Sequence, residues 1–396
     1  DGELSIPGRG RKEMKIYEVR ITPISPIHIG TGDELMPFSY TIMPVGSRGK
    51  NNEVVSDNKY IRLNDEIIVR YLKPAQLAKL QALVNQDDFG TFRQEFNTIA
   101  RQLIPFHQDC IFYTARITEE VLQLWDGLSK RENNSFIVQP TICNLLTRQP
   151  YIPGSSIKGA LRTALLNPYA NEFADAQANF RERDMLAAKE AMKDYKYRAQ
   201  DDPLRVLKVS DAIFPAKNSR LVGQLALYNR EKKATESIAI NEEVIESVAT
   251  GTEEENSAAS VLSATTTISI DDRLIRARPY RTAPKTIEDI IKFCNDFYED
   301  ALGLEYERFF RDAEDDLYNG YMYVDKAFKA MYQRNSRSEF IVRLGRHSQI
   351  EYMTFATERQ AGGKAANTVS RTLFRYKGLL LPMGWLHFEV LSEKSV

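Results

Sequence analysis

The chain has 396 residues, of which 43% are hydrophobic and 27% are charged, and its formal net charge is −1 at pH 7. This is the composition of an ordinary soluble globular protein, long enough for two domains more readily than one. The three cysteines are isolated in sequence and form no CxxC pair, so neither a disulfide framework nor a thiolate zinc site is supported, which fits a reducing cytoplasm. No stretch approaches the roughly 20 apolar residues of a membrane span, and no signal peptide is visible. Residues 1–13 are polar and lack a starting methionine, so we expect them to be a cloning remnant.

The neutral total hides a segregation of charge. Residues 334–377 carry nine Lys or Arg against three acids, whereas residues 286–320 carry three against eleven. The first region could face phosphate and the second would repel it, although solvated surfaces on a neutral protein would look the same.

The first predicted strand covers residues 16–21, where apolar and polar residues alternate. It runs into a loop that contains His28, Gly30 and Gly32. Glycines let a backbone pass close to another group, and the histidine offers a contact to ribose or phosphate. We therefore predict an RNA-binding loop here.

The next segments are predicted from composition and helical spacing. Residues 44–59 are rich in Gly, Asn, Ser and charge and indicate a mobile insertion. One helix is expected from a cap at Asn64 to about residue 83, and a second over about 91–103. A long charged helical region covers about 171–200.

The best-defined helix is predicted over residues 152–166. Gly154 turns the chain and Ser155 or Ser156 provides the cap. Apolar residues recur at helical spacing and must be buried: Ile157, Ala160, Leu161, Ala164 and Leu165. Lys158 and Arg162 lie one above the other near the positive end of the helix, which is unfavourable unless an anion neutralises them or both simply reach solvent.

We place a domain boundary at residues 201–203, which divides the chain into 14–203 and 204–396. Strand character restarts over 205–212, much as it began at the amino terminus. Residues 242–260 are acidic and rich in small side chains, and they predict a flexible connection.

The second half supplies further cations and one acidic helix. A short strand around residues 268–270 leads into a group of arginines, of which Arg276 and Arg278 are candidate RNA ligands. An amphipathic helix capped by Thr286 has a strongly acidic outer face, so it meets solvent or a protein rather than RNA.

Two glycine-containing turns follow in the last quarter. Gly345, Arg346 and His347 follow a strand and place backbone donors beside a cation and an imidazole. A second turn contains Gly362, Gly363 and Lys364. A tight turn with incidental charge is the alternative for both. The chain then closes on a strand that begins after Pro382-Met383-Gly384-Trp385.

These motifs resemble, in kind and in order, the RAMP superfamily of CRISPR–Cas proteins, and within it the end-capping subunits of the type III-A (Csm) effector complex. The matching motifs span residues 14–390. The string Pro-Gly-Ser-Ser-x-Lys-Gly-Ala-x-Arg is the most specific of them. The residues predicted to bind RNA are His28, Gly30, Gly32, Gly154, Ser155, Ser156, Lys158, Gly159, Arg162, Arg276, Arg278, Gly345, Arg346, His347, Gly362, Gly363 and Lys364.

The resemblance implies an α+β fold of two fused ferredoxin-like (RRM-like) βαββαβ modules with helical and loop insertions. It implies a non-catalytic subunit that binds the 3′ portion of the crRNA and supports its 3′-end maturation, with a host 3′ exonuclease as a recruited partner. Its other implied partners are target RNA, the backbone-forming Csm subunit and the small helical Csm subunit. No cofactor and no metal are implied.

Two other functions remain open. A metal-independent CRISPR RNA endoribonuclease would use His28, since imidazole suits acid–base chemistry at neutral pH. Asp33 lies in the same loop but is interpreted as an exposed turn residue. A nucleotide-dependent enzyme is disfavoured because no GxxxxGK[ST] string occurs.

Overall fold

The computed structural model describes residues 13–48, 54–128, 136–169, 202–251, 261–277, 279–332, 337–353 and 368–396. They form a mixed α/β fold built on two main sheets. None of the helices in these ranges has both the length and the apolarity that crossing a bilayer requires.

The strands, in chain order, are β1 (Met14–Pro23), β2 (Tyr40–Arg48), β3 (Val54–Leu63), β4 (Ile111–Ile117), β5 (Val138–Gln139), β6 (Tyr151–Ile152), β7 (Leu207–Val209), β8 (Ala212–Ile213), β9 (Arg220–Asn229), β10 (Ala234–Ile245), β11 (Ala264–Asp271), β12 (Glu339–Arg343), β13 (Ser370–Tyr376), β14 (Leu379–Leu381) and β15 (Trp385–Ser395). The α-helices are α1 (Asp65–Tyr71), α2 (Pro74–Asn85), α3 (Phe89–Leu103), α4 (Glu119–Leu128), α5 (Gly154–Leu166), α6 (Asp272–Ala277), α7 (Ile287–Glu305) and α8 (Asp315–Met331).

The first sheet has five strands in the order β12-β15-β1-β11-β7. Its middle strand, β1, pairs antiparallel with β11 on one side and with β15 on the other. Helix α5 lies between β1 and β7 in the chain, and these two strands flank β11, which is the split βαβ arrangement. Strands from both sides of residue 203 therefore share this sheet, and the boundary placed there stays a prediction.

The second sheet has the order β14-β13-β9-β4-β3-β2, with β10 pairing to β9 and β5. The predicted mobile insertion over 44–59 is wrong for the described part of this segment. There, β2 and β3 pair antiparallel in one register, from Tyr40 with Arg62 to Arg48 with Val54. Pairing satisfies the backbone polar groups of both strands, which the composition of the segment does not reveal.

The main core lies between the first sheet and the helices packed on it. The apolar face of α5 is buried as the spacing predicted, and Ile157 and Leu161 are fully enclosed. Thr286 caps α7 as expected, with its side chain accepting from the Asp289 N–H at 3.3 Å.

Two other predicted elements differ from the structure. The helix expected to run from Asn64 to about residue 83 is two helices, because Pro74 starts α2 and disfavours helical backbone just before it. Asn64 occupies the cap position of α1 without a side-chain hydrogen bond. The flexible connection predicted from residue 242 is wrong at its start, since β10 continues to Ile245. The helical region expected over 171–200 lies outside the described residues.

Candidate functional site

Three of the motifs found in the sequence meet at one cleft of about 540 Å³. The loop after β1, the start of α5 and the turn after β12 each contribute to its wall. The lining residues are His28, Ile29, Gly30, Thr31, Gly32, Asp33, Glu34, Gln139, Pro140, Ser156, Gly345 and Arg346. The volume lies within the range typical of ligand pockets, about 300–1,000 Å³.

The loop after β1 is held along one side by the segment around β5. Gly30 forms an antiparallel bridge with Thr141, and the Ile142 N–H donates to the Ile29 carbonyl at 2.8 Å. Gly32 has a φ of +87°, a conformation that glycine adopts without strain. Residues 30–34 are exposed, so this backbone is open to a ligand on its outer side.

His28 lies beneath this loop and is only 2% exposed. Its Nδ1 donates to the Glu243 carbonyl at 2.8 Å, which leaves Nε2 without a proton in the neutral ring. Nε2 is buried without a hydrogen-bond partner, and a Cβ on Gly30 would lie 3.0 Å from it. Burial lowers the pKa of His28, although Glu242 opposes this. The His28 ring therefore packs against the inner side of the loop, and Gly30 lies over its Nε2.

The structure adds a buried carboxylate, Glu242, which lies at the start of the flexible connection predicted over residues 242–260. Glu242 lies on β10, is fully buried, and accepts from the His347 Nε2 at 2.9 Å through both oxygens. Its Oε1 is 3.7 Å from the His28 Nε2 and 3.7 Å from the Arg346 Nη1. Glu242 thus organises three predicted site residues. The apolar residues Ile238, Ile240, Val244 and Ile245 were the available signal that this stretch is a strand.

The turn after β12 is locked onto the same loop. Gly345 has a φ of +101°, and a Cβ there would lie 2.8 Å from the His28 carbonyl oxygen. The Arg346 N–H donates to that oxygen at 3.0 Å, and its guanidinium donates to the Gln139 side chain. The Arg346 side chain is nevertheless 48% exposed, so it presents positive charge at the mouth of the cleft.

The lining of the cleft also includes two carboxylates. Asp33 and Glu34 are both exposed on the loop after β1. Carboxylates repel phosphate, so Arg346 is the part of this lining that favours a phosphate.

The prediction that Ser155 or Ser156 caps α5 is wrong. The cap position is Pro153, which has no side-chain donor or acceptor, and the Gly154 N–H instead donates to the Asp211 Oδ1 at 2.8 Å. The carboxylate comes from the turn between β7 and β8, so only the tertiary fold brings it to this helix. Ser156 lines the cleft, while Ser155 is exposed.

Lys158 and Arg162 both bind acceptor groups of the chain itself. The Lys158 Nζ donates to the Leu207 carbonyl at 2.7 Å, and the Arg162 Nη1 donates to both Asp202 oxygens at 3.0 and 2.8 Å. Burial lowers the pKa of Lys158. Neither residue lines the cleft. Asp202 is thus the anion that neutralises this end of α5. Contact between RNA and the Lys158–Arg162 pair stays a prediction.

The other predicted ligands within the described residues do not line the cleft. Gly159 is exposed on α5, Arg276 is exposed on α6, and Gly154 is buried against β7. Arg278, Gly362, Gly363 and Lys364 lie outside the described residues. In the described ranges, no group of three or more His, Cys, Asp or Glu side chains is arranged to hold a metal ion.

The comparisons with known proteins agree with this arrangement of motifs. The family model of the RAMP superfamily matches residues 20–346. A chain of a cryo-EM structure of a Csm–crRNA–target RNA ternary complex from a type III-A CRISPR-Cas system has a TM-score of 0.58 and 19% identity, over 94% of this chain and 100% of that chain. A crystal structure of Csm5 from T. onnurineus has a TM-score of 0.54 and 21% identity, over 94% of this chain and 100% of that chain. No curated protein matches the sequence.

Proposed function

Because the chain belongs to the RAMP superfamily, we propose that it is a non-catalytic RNA-binding subunit of a type III-A CRISPR–Cas complex, where it caps the 3′ portion of the crRNA. The observation that carries this proposal is the cleft in which the loop after β1, the start of α5 and Arg346 meet. Exposed glycine backbone and one cation contact a sugar–phosphate strand without reading its bases. A subunit that must accept any guide sequence needs such sequence-independent binding.

The partners follow from the same proposal. The chain would contact crRNA, target RNA, the backbone-forming Csm subunit and the small helical Csm subunit, in the cytoplasm. It would support 3′-end maturation by recruiting a 3′ exonuclease. The likeness to a chain from a Csm–crRNA–target RNA complex supports this choice of assembly. Two fused ferredoxin-like modules remain our proposal for the architecture, and the split βαβ sheet that contains β1 supports one of them.

The endoribonuclease alternative has a weaker physical basis. A general base must reach the ribose hydroxyl that it deprotonates, at about 2.6–3.2 Å. The Nε2 of His28 is buried beneath Gly30, and the His28 side chain is 0% exposed. Purified protein should therefore leave a labelled crRNA precursor intact in metal-free buffer. Cleavage that His28→Ala abolishes would contradict the non-catalytic assignment.

The test of RNA binding uses the assembled complex with 4-thiouridine in the 3′ portion of the crRNA. We expect photo-crosslinks to peptides that contain residues 28–34 and 345–346. Arg346→Ala should weaken crRNA retention equally for unrelated guide sequences and reduce the salt slope by about one for the lost phosphate contact.

Lys292→Ala is the matched control, because Lys292 is an exposed cation paired with Asp296 on the acidic helix α7. The double variant Lys158→Ala, Arg162→Ala extends the test to the pair on α5. We expect a smaller effect from it than from Arg346→Ala, since Asp202 and Leu207 already bind both side chains. Crosslinks that miss the cleft, with unchanged retention by the Arg346 variant, would refute the proposed site.

A further inference from the structure

The helical insertion between β3 and β4 carries exposed aromatic rings that the cleft does not use. Tyr71 ends α1, and Phe106 and His107 lie in the turn that follows α3. We call these three residues the aromatic platform. It belongs to a part of the fold that contributes nothing to the lining of the cleft.

Contacts hold the Tyr71 and His107 rings and the backbone of Phe106 in place. The Tyr71 and His107 rings stack with centroids 3.9 Å apart and planes 26° apart, and the Tyr71 hydroxyl donates to the Asp109 Oδ2 at 2.9 Å. The N–H groups of Phe106 and His107 both donate to the Leu103 carbonyl, at 3.0 and 2.9 Å. These bonds fix the backbone that presents the rings.

Phe106 is the most exposed aromatic of the platform, with 82% of its surface accessible, and Tyr71 is 38% exposed. A phenylalanine in this position contributes little to the core of its own chain, since the buried neighbours Ile104 and Cys110 anchor the turn. A large and accessible ring on a hydrogen-bonded backbone offers a face for stacking.

Two exposed cations adjoin Tyr71 in the chain, and the exposed Glu66 precedes them on α1. Arg70 and Lys73 are exposed on either side of Tyr71 in sequence. The nearest carboxylate in sequence, Asp109, already accepts the Tyr71 hydroxyl. Aromatic rings beside cations are the combination that binds single-stranded RNA, in which bases stack on rings and phosphates meet cations.

We propose that the aromatic platform binds an unpaired base of single-stranded RNA, with Phe106 as the stacking surface and Arg70 and Lys73 beside the flanking phosphates. This rests on the proposed RNA-binding function and adds a second contact, on a helical insertion rather than on a sheet face. The base must be unpaired, because stacking on a protein ring needs a free base face.

The test measures the affinity of the full chain for fluorescein-labelled oligouridylate. Phe106→Ala should weaken binding about tenfold, which is within the range for loss of one base–aromatic stack. Phe106→Trp should restore it and Phe106→Leu should not, since leucine keeps apolar surface but has no ring. Arg70→Ala with Lys73→Ala should lower the salt slope by up to about two.

Leu146→Ala is the matched control, because Leu146 is 91% exposed in a turn distant in sequence from the platform. Equal affinity of the Phe106→Ala and Leu146→Ala variants, with wild-type binding intact, would overturn the platform and leave the proposed function standing. Wild-type protein that fails to bind the oligonucleotide would overturn both.

An aliphatic docking surface for a protein is the competing interpretation, since Val69 and Leu77 are also exposed nearby, at 48% and 38%. Restoration by Phe106→Leu, or loss of subunit assembly rather than of RNA affinity, would replace the RNA proposal with that one.

Discussion

At the scale of single residues, glycines that look alike in sequence have different roles. A Cβ at Gly154 would lie 2.2 Å from the Val209 carbonyl oxygen, so this position is required by the packing of α5 against β7. A Cβ at Gly159 would meet nothing within 4 Å. Both glycines belong to the same motif, and only the first is explained by the fold.

This difference gives a matched pair of variants. Gly154→Ala should destabilise the protein by about 3 kcal/mol, because the added methyl forces the helix away from β7. Gly159→Ala should stabilise it by about 0.5–1 kcal/mol, since alanine has the higher helix propensity at an open position. Chemical denaturation of both variants measures the free energy of unfolding. Equal changes in the free energy of unfolding of the two variants would mean that the packing of α5 on β7 does not require glycine at position 154.

The buried imidazole of His28 predicts a pH dependence of stability. Burial lowers its pKa from the ordinary 6.5. The unfolded chain then binds a proton that the folded chain does not, so the free energy of unfolding decreases as the pH falls below about 6.5. The decrease continues until the pH passes the folded-state pKa.

His28→Asn isolates this contribution, because the asparagine amide can still donate to the Glu243 carbonyl but does not titrate. We expect a shallower loss of stability below pH 6.5 in the variant. Burial also lowers the pKa of His387, but His387 is present in both proteins and cancels in the comparison. Parallel stability–pH curves for the two proteins would contradict the assignment.

At the scale of elements, α5 shows how a helix can be predicted correctly while its cap is not. The apolar spacing determines the buried face, and Pro153 sets the start. The carboxylate of Asp211 then caps the first N–H from a distant turn, where it also meets the positive end of the helix dipole.

Asp211→Ala should therefore lower the free energy of unfolding by about 0.5–2 kcal/mol. Ser155→Ala is the control and should be nearly neutral, since Ser155 is exposed and makes no capping bond. Thermal unfolding followed by circular dichroism compares the two. A larger loss of stability in the Ser155 variant would indicate that Ser155, rather than Asp211, caps α5.

At the scale of the whole molecule, one buried carboxylate joins the two sheets. Glu305 at the end of α7 accepts from Arg343 on β12 at 2.6 Å and from Arg371 on β13 at 2.9 Å. Burial opposes ionisation of Glu305, but the two guanidinium groups hold its pKa below the ordinary value. Because β12 and β13 belong to different sheets, the network fixes how the sheets meet.

Glu305→Gln should destabilise the protein by about 3–5 kcal/mol, since it leaves the buried Arg343 without the carboxylate it pairs with, while Arg371 keeps its ion pair with Glu351. Glu307→Gln provides a control, because Glu307 forms an exposed pair with Arg311 that should contribute less than about 1 kcal/mol. Similar unfolding midpoints for the two variants would show that the Glu305 network does not stabilise the contact between the two sheets.

The sequence by itself determined the elements with strong local signals. These are the strand over 16–21, the buried face of α5, the Thr286 cap and the glycine motifs, because spacing and capping act within a few residues of chain. It also supported the resemblance to the RAMP superfamily, which the family match confirms.

Only the tertiary structure decided which of these signals meet. It brought the His28 loop, Ser156 and Arg346 to one cleft, and it buried Glu242 beneath them although its segment is acidic. It also supplied Asp202 and Asp211 as the partners of α5. Such pairings depend on residues far apart in the chain, so their energies are set by the packed fold and leave no trace in local composition or spacing.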